Sequence, residues 1–255
     1  MAFRGVNFAH LAKFNSAASS EFIDFYGNII ENKIRADLAK PSSATIAPSS
    51  FRCLRKTWFR LRNTAPDSPK QVDPVLNFTA ELGTACHEMI QTNLKSALKN
   101  DWIKVSDYLK DNPIPYEYVL DEGELESKIE ILDPPIRFAC DGIIRWKDSL
   151  YLLEIKSSEF SSFNDLIEPK PQHIDQIKCY ATILGLSNVL VLYIDRQYGS
   201  LKCYEMKVSE SDMTDVKNKI DYVQRMAKCN LAPERLPSGD PGCQGCPYSK
   251  KCKEY

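Results

Sequence analysis

Apolar residues in the first hundred positions recur mostly at helical intervals. Those between residues 22 and 38 predict an amphipathic accessory helix within residues 1–47. Ala47-Pro48-Ser49-Ser50 supplies an N-cap for a second helix over residues 51–61, which carries Cys53. After a proline-rich loop, a third helix is predicted over residues 78–99, with His87 at the edge of its apolar stripe.

From residue 116 onward the pattern changes to short runs rich in β-branched and aromatic side chains. Strands are predicted over residues 116–120, 125–132, 136–146, 150–156, 188–195 and 201–208. A helix over 171–184 interrupts these strands, and another over 211–226 follows them. The remaining tail is rich in Pro, Gly and Cys and has too few apolar residues to order itself, so another group must hold it.

The strands at 136–146 and 150–156 bring two carboxylates and one amine into a single predicted hairpin. If Asp148-Ser149 is a two-residue loop, Asp141 pairs with Lys156, and Glu154 shares their face. A three-residue loop without a bulge would turn Asp141 to the opposite face. Taken alone these groups describe a solvated strand face. However, Glu154 and Lys156 interrupt a strongly apolar run, which requires a local reason.

This set of groups suits metal-dependent cleavage of a phosphodiester. Asp141 and Glu154 would bind Mg²⁺ or Mn²⁺, with the Ile155 backbone carbonyl as a further candidate ligand. Lys156 would orient or help deprotonate the attacking water and stabilise the transition state. His87 could complete the metal site, because imidazole suits Mn²⁺ better than Mg²⁺. The alternative for His87 is a partly buried structural side chain.

Two other groups are candidates for contact with DNA. Gln176 and Tyr180 lie one turn apart on the helix over 171–184 and would offer an amide, a phenol and a stacking ring. The alternative is a half-exposed helix with its tyrosine partly in the core. A basic run begins near residue 52, and three of its members are candidates for phosphate binding: Arg52, Arg55 and Lys56. His10 and His173 have no comparable context, and we expect them on the surface.

Composition sets wider limits. The 255 residues suffice for one large or two small domains, and the net charge of −1 does not by itself indicate a nucleic-acid binder. No apolar run approaches the ~20 residues of a membrane span, and the first residues lack the features of a secretory signal. We therefore expect an intracellular, cytoplasmic protein, in the host cytoplasm if the source is a virus. Nine cysteines in a reducing compartment are unlikely to form a disulfide framework, so the clustered ones are considered first as metal ligands.

The C-terminal cysteines have the spacing of a metal centre. Cys243, Cys246 and Cys252 lie in a compact segment with glycine and proline neighbours, and they need a fourth ligand. Cys53 is the best candidate and Cys229 the second. The spacing leaves open an iron–sulfur cluster, a structural zinc, or reactive free thiols. Four other cysteines lie in apolar segments and are expected in the core: Cys86, Cys140, Cys179 and Cys203.

In their order along the chain, these residues resemble the RecB-like branch of the PD-(D/E)XK nuclease superfamily. Within it, they resemble the iron–sulfur exonucleases that include the CRISPR-associated RecB-like exonuclease and the AddB nuclease domain. The pattern is a first cysteine, Gly-x₃-His, Asp, Glu-x-Lys, Gln-x₃-Tyr and Cys-x₂-Cys-x₅-Cys. Here it runs from Cys53 to Cys252. Two departures are a cysteine instead of proline before Asp141 and an N-terminal segment without a counterpart, which would gate DNA or bind a partner.

The resemblance implies an α/β (α+β) fold with a restriction-endonuclease-like core, in which helices flank a central mixed sheet. It implies an accessory segment over 1–47 and a nuclease domain over 48–255, with Cys53 and residues 229–255 forming an iron–sulfur region. It also implies a divalent metal on His87, Asp141 and Glu154, and a 4Fe-4S cluster on the four cysteines.

The activity implied is exonucleolytic cleavage at DNA ends, often single-stranded and often 5′ to 3′, in DNA processing, repair or recombination with partner proteins. Two alternatives stay open: a catalytically silent DNA-binding or adaptor module of the same fold, and a zinc-stabilised endonuclease. Because Asp141, Glu154 and Lys156 are all present, the sequence argues against the silent module.

Overall fold

The computed structural model describes residues 17–39, 43–68 and 72–255, so His10 and the rest of 1–16 lie outside the described residues. The chain divides into two compact units. In the described residues, the first unit covers 17–39 and 72–79, and the second covers 43–68 and 80–255. The first contains the expected accessory helix, on which several apolar side chains are exposed, among them Phe22 and Phe25.

The helices of the described chain are α1 (Ala17–Leu38), α2 (Leu54–Leu61), α3 (Pro74–Leu98), α4 (Val105–Asp111), α5 (Phe160–Asn164), α6 (Pro171–Leu184) and α7 (Glu210–Lys228). The strands are β1 (Trp102–Ile103), β2 (Tyr118–Glu122), β3 (Ser127–Ile131), β4 (Ile136–Cys140), β5 (Gly142–Trp146), β6 (Ser149–Ser158), β7 (Asn188–Asp195) and β8 (Leu201–Lys207).

The central sheet has five strands in the order β1-β5-β6-β7-β8. The strands β6 and β7 are parallel and are joined by the crossover through α5 and α6, whereas the other pairs are antiparallel. A second, antiparallel sheet has the order β2-β3-β4. The expected α/β fold with a central mixed sheet is confirmed.

Apolar side chains on both faces of β6 explain why its sequence is an apolar run rather than an alternating one. Leu152 packs in the large core with residues of α2, α6 and α7. Leu153 and Ile155 point to the other face, where they pack with Ile90 of α3. Helices therefore cover both faces of the strand that carries Glu154 and Lys156.

The predicted strand over 136–146 is wrong as a single element, because the chain breaks at Asp141. Residues before it form β4 in the small sheet, and residues after it form β5 in the large sheet. The hairpin register also differs from the prediction. The two-residue loop is Lys147-Asp148, both with positive φ, so Trp146 pairs with Ser149. Extending this ladder places Asp141 opposite Glu154, and the predicted pairing of Asp141 with Lys156 is wrong.

Two local predictions around the short elements also differ. The residues Pro48–Ser50 form a 3₁₀ turn, and the N-cap of α2 is Cys53, whose sulfur accepts from the Lys56 N–H. The elements β1, α4 and α5 were not predicted, since each has seven residues or fewer and too little periodicity to detect.

Candidate active site

The candidate site lies along an open edge of β6. The ladder between β5 and β6 ends at the pair Gly142–Leu153, so later residues of β6 have no β5 partner. The Asp141 Oδ2 accepts a hydrogen bond from the Ile155 N–H at 2.7 Å. Because the N–H and C=O of one strand residue point to the same edge, the Ile155 carbonyl also faces this side.

Two carboxylates are buried side by side at this edge. Asp141 is 6% exposed and Glu154 is 2% exposed. The Glu154 Oε1 lies 2.5 Å from the Lys156 Nζ. Burial raises the pKa of Glu154 to about 7; Lys156 opposes the rise, and the charge of Asp141 adds to it. A carboxylate held in this environment is costly for folding, which makes it a candidate for a functional group.

His87 approaches the same edge from α3. Its Nδ1 lies 3.3 Å from the Asp141 Oδ1. Burial disfavours the imidazolium, but the hydrogen bond and charge of Asp141 outweigh burial and raise the pKa of His87. Gln91, one turn further along α3, is buried and donates to the Asp141 carbonyl at 2.7 Å. Sequence reasoning missed Gln91, although its spacing of one turn from His87 places it on the same helix face.

The ammonium of Lys156 is held from the other side by α6. Its Nζ donates to the Gln176 Oε1 at 3.3 Å, and the Gln176 Nε2 donates to the Tyr180 hydroxyl at 2.6 Å. The Tyr180 ring is buried and stacks on Phe138, with ring centroids 4.8 Å apart. This placement is at odds with the expectation that Tyr180 stacks on a base. Gln176 is buried as well and contacts the lysine rather than an open surface.

His173 was expected on the surface but is half-buried in the first turn of α6. Its Nδ1 lies 2.7 Å from the Tyr193 hydroxyl. Burial is the main cause that lowers the pKa of His173 to about 3, and the charges of Lys156 and Lys170 contribute to it. The ring is therefore neutral. No sequence motif points to this contact, because Tyr193 is on β7 and meets His173 only in the folded sheet.

The donor set at this edge fits a divalent cation. Two carboxylates and an imidazole are ligands suited to Mn²⁺ or Mg²⁺, and a cation would stabilise the charged form of Glu154. Within the described ranges, no group of three or more His, Cys, Asp or Glu side chains is arranged so that it could hold a metal ion. The carboxylates instead contact His87, the Ile155 N–H and Lys156.

A second constellation lies at the C-terminal tail. A cavity of about 450 Å³ is lined by all four of the expected ligands, Cys53, Cys243, Cys246 and Cys252. Burial raises the pKa of the Cys53 thiol, and the nearby Cys246 and Cys252 add to the rise. Four basic side chains also line the cavity: Arg55, Lys56, Arg235 and Lys253. The four cysteines therefore line one cavity beside cationic groups, although in the part of the chain that the structure describes they do not form a group that could hold a metal ion.

The remaining cysteines follow the prediction in part. Cys140 and Cys179 are buried as expected, and Cys86 is half-buried. The expectation for Cys203 is wrong, since it is exposed on β8, a strand at the edge of the sheet. Cys229 is exposed and is not among the residues that line the cavity.

Hydrogen bonds with Arg55 and Asp67 hold the C-terminal tail that follows α7. Arg55 is buried and donates to the Pro233 carbonyl at 2.5 Å and to the Cys252 carbonyl at 3.0 Å. The Asp67 carboxylate accepts from the backbone N–H groups of Lys250 and Lys251. The tail is therefore fastened to the rest of this unit at several points by protein hydrogen bonds.

These contacts change the expectation for DNA binding by the basic run. The buried guanidinium of Arg55 is not accessible to a phosphate. Arg52 forms ion pairs with Asp240 at 2.8 Å and Asp175 at 3.3 Å, so its charge is already compensated. Lys56 is partly exposed at the rim of the cysteine cavity, and it is the member of the three that stays available.

None of the helices in the described part of the chain is long and apolar enough to cross a membrane. No protein-family model matches the sequence, and a search of curated proteins found no match.

Solved structures with a similar arrangement include that of SSO0001, which is 16% identical in sequence to this chain. The match covers 88% of this chain and 94% of the SSO0001 chain, with a TM-score of 0.49. The complex of LHK-Exo with dAMP is 13% identical over 74% of this chain and 90% of its own, with a TM-score of 0.40. The alkaline exonuclease LHK-Exo from Laribacter hongkongensis is 12% identical over 76% of this chain and 93% of its own, with a TM-score of 0.39.

Proposed function

We propose that this protein is a divalent-metal-dependent deoxyribonuclease. The observation that carries the proposal is the group of Asp141, Glu154 and Lys156 at one open strand edge, with His87 and Gln176 in contact with it. A protein that only binds DNA would expose basic groups and has no need for two buried adjacent carboxylates. The catalytically silent module is therefore the weaker candidate.

The side chains of the site would divide the chemistry between them. His87, Asp141 and Glu154, with the Ile155 carbonyl, would hold Mg²⁺ or Mn²⁺. The cation would stabilise the charge that develops on the phosphodiester oxygens. Lys156 would donate to the attacking water or to a phosphate oxygen, and its ammonium would stabilise the transition state. Gln176 would fix the direction of the Lys156 ammonium, and Tyr180 would fix the Gln176 amide.

More specifically, we propose that the deoxyribonuclease is an exonuclease that acts on the ends of single-stranded DNA with 5′ to 3′ polarity. It would act in DNA processing, repair or recombination. This proposal rests on the ordered motif set from Cys53 to Cys252. End-labelled linear DNA and covalently closed circles should be compared with both metals. Degradation of the linear form alone is expected, whereas rapid cutting of circles would favour an endonuclease.

For the cysteine cavity we propose a structural 4Fe-4S cluster, supported by the four thiols on its wall and the four basic side chains beside them. The cluster would link Cys53 to the tail and so close a loop of most of the chain. Anaerobically purified protein should be brown, with broad absorbance near ~400 nm and with bound iron and sulfide. A colourless protein with stoichiometric zinc would reject the cluster in favour of structural zinc.

A further inference from the structure

Two large aromatic side chains are exposed at the C-terminal ends of β6 and β7. Phe160 begins α5 directly after β6, and Tyr198 lies in the turn between β7 and β8. They are 40% and 66% exposed, and their ring centroids lie 5.0 Å apart at an interplanar angle of 79°. Neither ring contributes to the proposed catalytic chemistry. Adjacent rings that face water are a feature of surfaces that bind a partner.

The turn that presents Tyr198 is rigidly built. The buried Asp195 carboxylate accepts hydrogen bonds from the backbone N–H groups of Gln197 and Tyr198, both at 3.0 Å. Gly199 follows with a φ of 73°, a conformation that glycine adopts without strain. The Gln197 Nε2 also donates to the Tyr198 hydroxyl at 2.9 Å. The outward position of the ring is therefore set by the folded turn.

The aromatic pair lies close to the candidate catalytic site. Phe160 follows Lys156 by four residues, so their Cα atoms are at most about 14 Å apart. Ser158 pairs with Asp195, and the Arg196 N–H donates to the Ser158 carbonyl at 2.9 Å. Arg196 is half-buried, and its guanidinium makes no hydrogen bond or ion pair with another residue that the structure describes, although its charge acts on the Cys86 thiol. A cation therefore accompanies the two rings at the end of β6.

We propose that Phe160, Tyr198 and Arg196 form a subsite for one nucleotide of a single strand, adjacent to the bond that is cleaved. The base would stack on the exposed face of Tyr198, which Phe160 supports at nearly a right angle, and Arg196 would contact the neighbouring phosphate. Every base has a flat face, so the subsite accepts any sequence, but a paired base inside a duplex has no free face to offer. The inference rests on the proposed nuclease function and assigns its proposed preference for unpaired DNA to three residues outside the catalytic group.

The test uses a short fluorescent oligothymidylate and measures its Kd by anisotropy, with Ca²⁺ in place of the catalytic metal. Removal of a stacking ring costs about 1–3 kcal/mol per base, so Tyr198→Ala should raise the Kd by about 5- to 150-fold. Tyr198→Trp keeps a ring and should bind nearly as the wild type does. The control is Trp146→Ala, which removes an exposed aromatic at the opposite end of the β5–β6 hairpin and should leave the Kd unchanged.

A second measurement alters the DNA as well as the protein. An abasic residue is moved along the oligonucleotide, and one position should weaken wild-type binding about as much as Tyr198→Ala does. In Tyr198→Ala that position should cause no further loss, because the coupled pair is already broken. Loss of affinity without this coupling would overturn the inference.

The outcomes separate the subsite from the function on which it rests. If the wild type degrades DNA but Tyr198→Ala binds and cleaves equally well, the subsite is wrong and the nuclease function stands. If the wild type neither binds nor cleaves DNA, the proposed function fails and the subsite fails with it. If Tyr198→Ala changes the association state of the protein and not its Kd for DNA, the rings are a protein contact and the subsite is rejected.

Discussion

Glu154→Gln separates the folding cost of the candidate site from its function. The substitution keeps the shape of the side chain and removes the charge that burial disfavours. The Lys156 ammonium can still donate to the amide oxygen that replaces the carboxylate. The expected result is a variant that is inactive but, in metal-free buffer at neutral to alkaline pH, more stable than the wild type.

The magnitude follows from the pKa of Glu154, which burial raises from 4.5 to about 7. An acid with a higher pKa in the folded than in the unfolded state loses stability as pH rises between the two values, because the unfolded chain releases its proton first. At about 1.4 kcal/mol for each pH unit, the full loss above pH 7 amounts to about 3 kcal/mol. Glu154→Gln removes this loss, which is absent below pH 4.5 in both proteins.

Urea unfolding in the presence of a chelator measures the free energy of unfolding at about pH 4 and about pH 8. The difference between the two values reports the effect of the Glu154 charge, because packing changes common to both pH values cancel. Relative to the wild type, Glu154→Gln should gain about 3 kcal/mol between the two pH values. Mn²⁺ at about 100 times its Kd should then stabilise the wild type by about 2.7 kcal/mol. It should stabilise the variant much less, because a ligand is missing.

Two results would refute this reasoning. An equal Mn²⁺-dependent stabilisation of both proteins would remove Glu154 from the metal site. An identical pH dependence of unfolding in both proteins would mean that the Glu154 carboxyl is not held in the buried environment described.

Other parts of the structure lead to further expected outcomes. Gln176→Leu removes the oxygen that accepts a hydrogen bond from Lys156. A hydrogen bond to a charged group contributes about 1.5–3 kcal/mol, so kcat should fall by about 10- to 150-fold with little change in KM. An unchanged kcat would exclude a positioning role for Gln176. Cys53→Ser should lose bound iron and sulfide, whereas the control Cys203→Ser, at an exposed position on β8, should keep both. Equal loss in the two variants would argue against the four-cysteine site. Ser209→Ala removes the capping box of α7 and should lower the free energy of unfolding by about 1 kcal/mol in a urea titration, while no loss would show that the cap does not contribute.

Periodicity predicted the long elements because their patterns extend over several turns or many alternations. The helices α3 and α6 and the strands β6 and β7 were all expected close to their observed bounds. The run 136–146 misled because a continuous apolar pattern does not reveal that Asp141 leaves the sheet. That break depends on the Ile155 N–H, which bonds to the Asp141 side chain instead of to a strand partner.

The candidate site was accessible from the sequence to the extent that motifs preserve its order along the chain. The burial and contacts of individual side chains could not be predicted, because they depend on groups that are distant in the sequence. Arg55 is buried because carbonyls near the C-terminus accept its hydrogen bonds. Tyr180 is removed from solvent by Phe138 of the small sheet. Charge pattern alone cannot distinguish such an arginine from one that is free to contact DNA.

The most direct test of the nuclease proposal is the release of nucleotides from end-labelled single-stranded DNA in the presence of Mn²⁺, with DNA binding measured separately in Ca²⁺. The wild type should cleave, and Lys156→Ala should bind the DNA with similar affinity but release no nucleotides. Lys207→Ala removes an exposed lysine at the far end of β8 and should behave as the wild type does. Full activity of Lys156→Ala, or no cleavage by the wild type with either Mn²⁺ or Mg²⁺, would contradict the account.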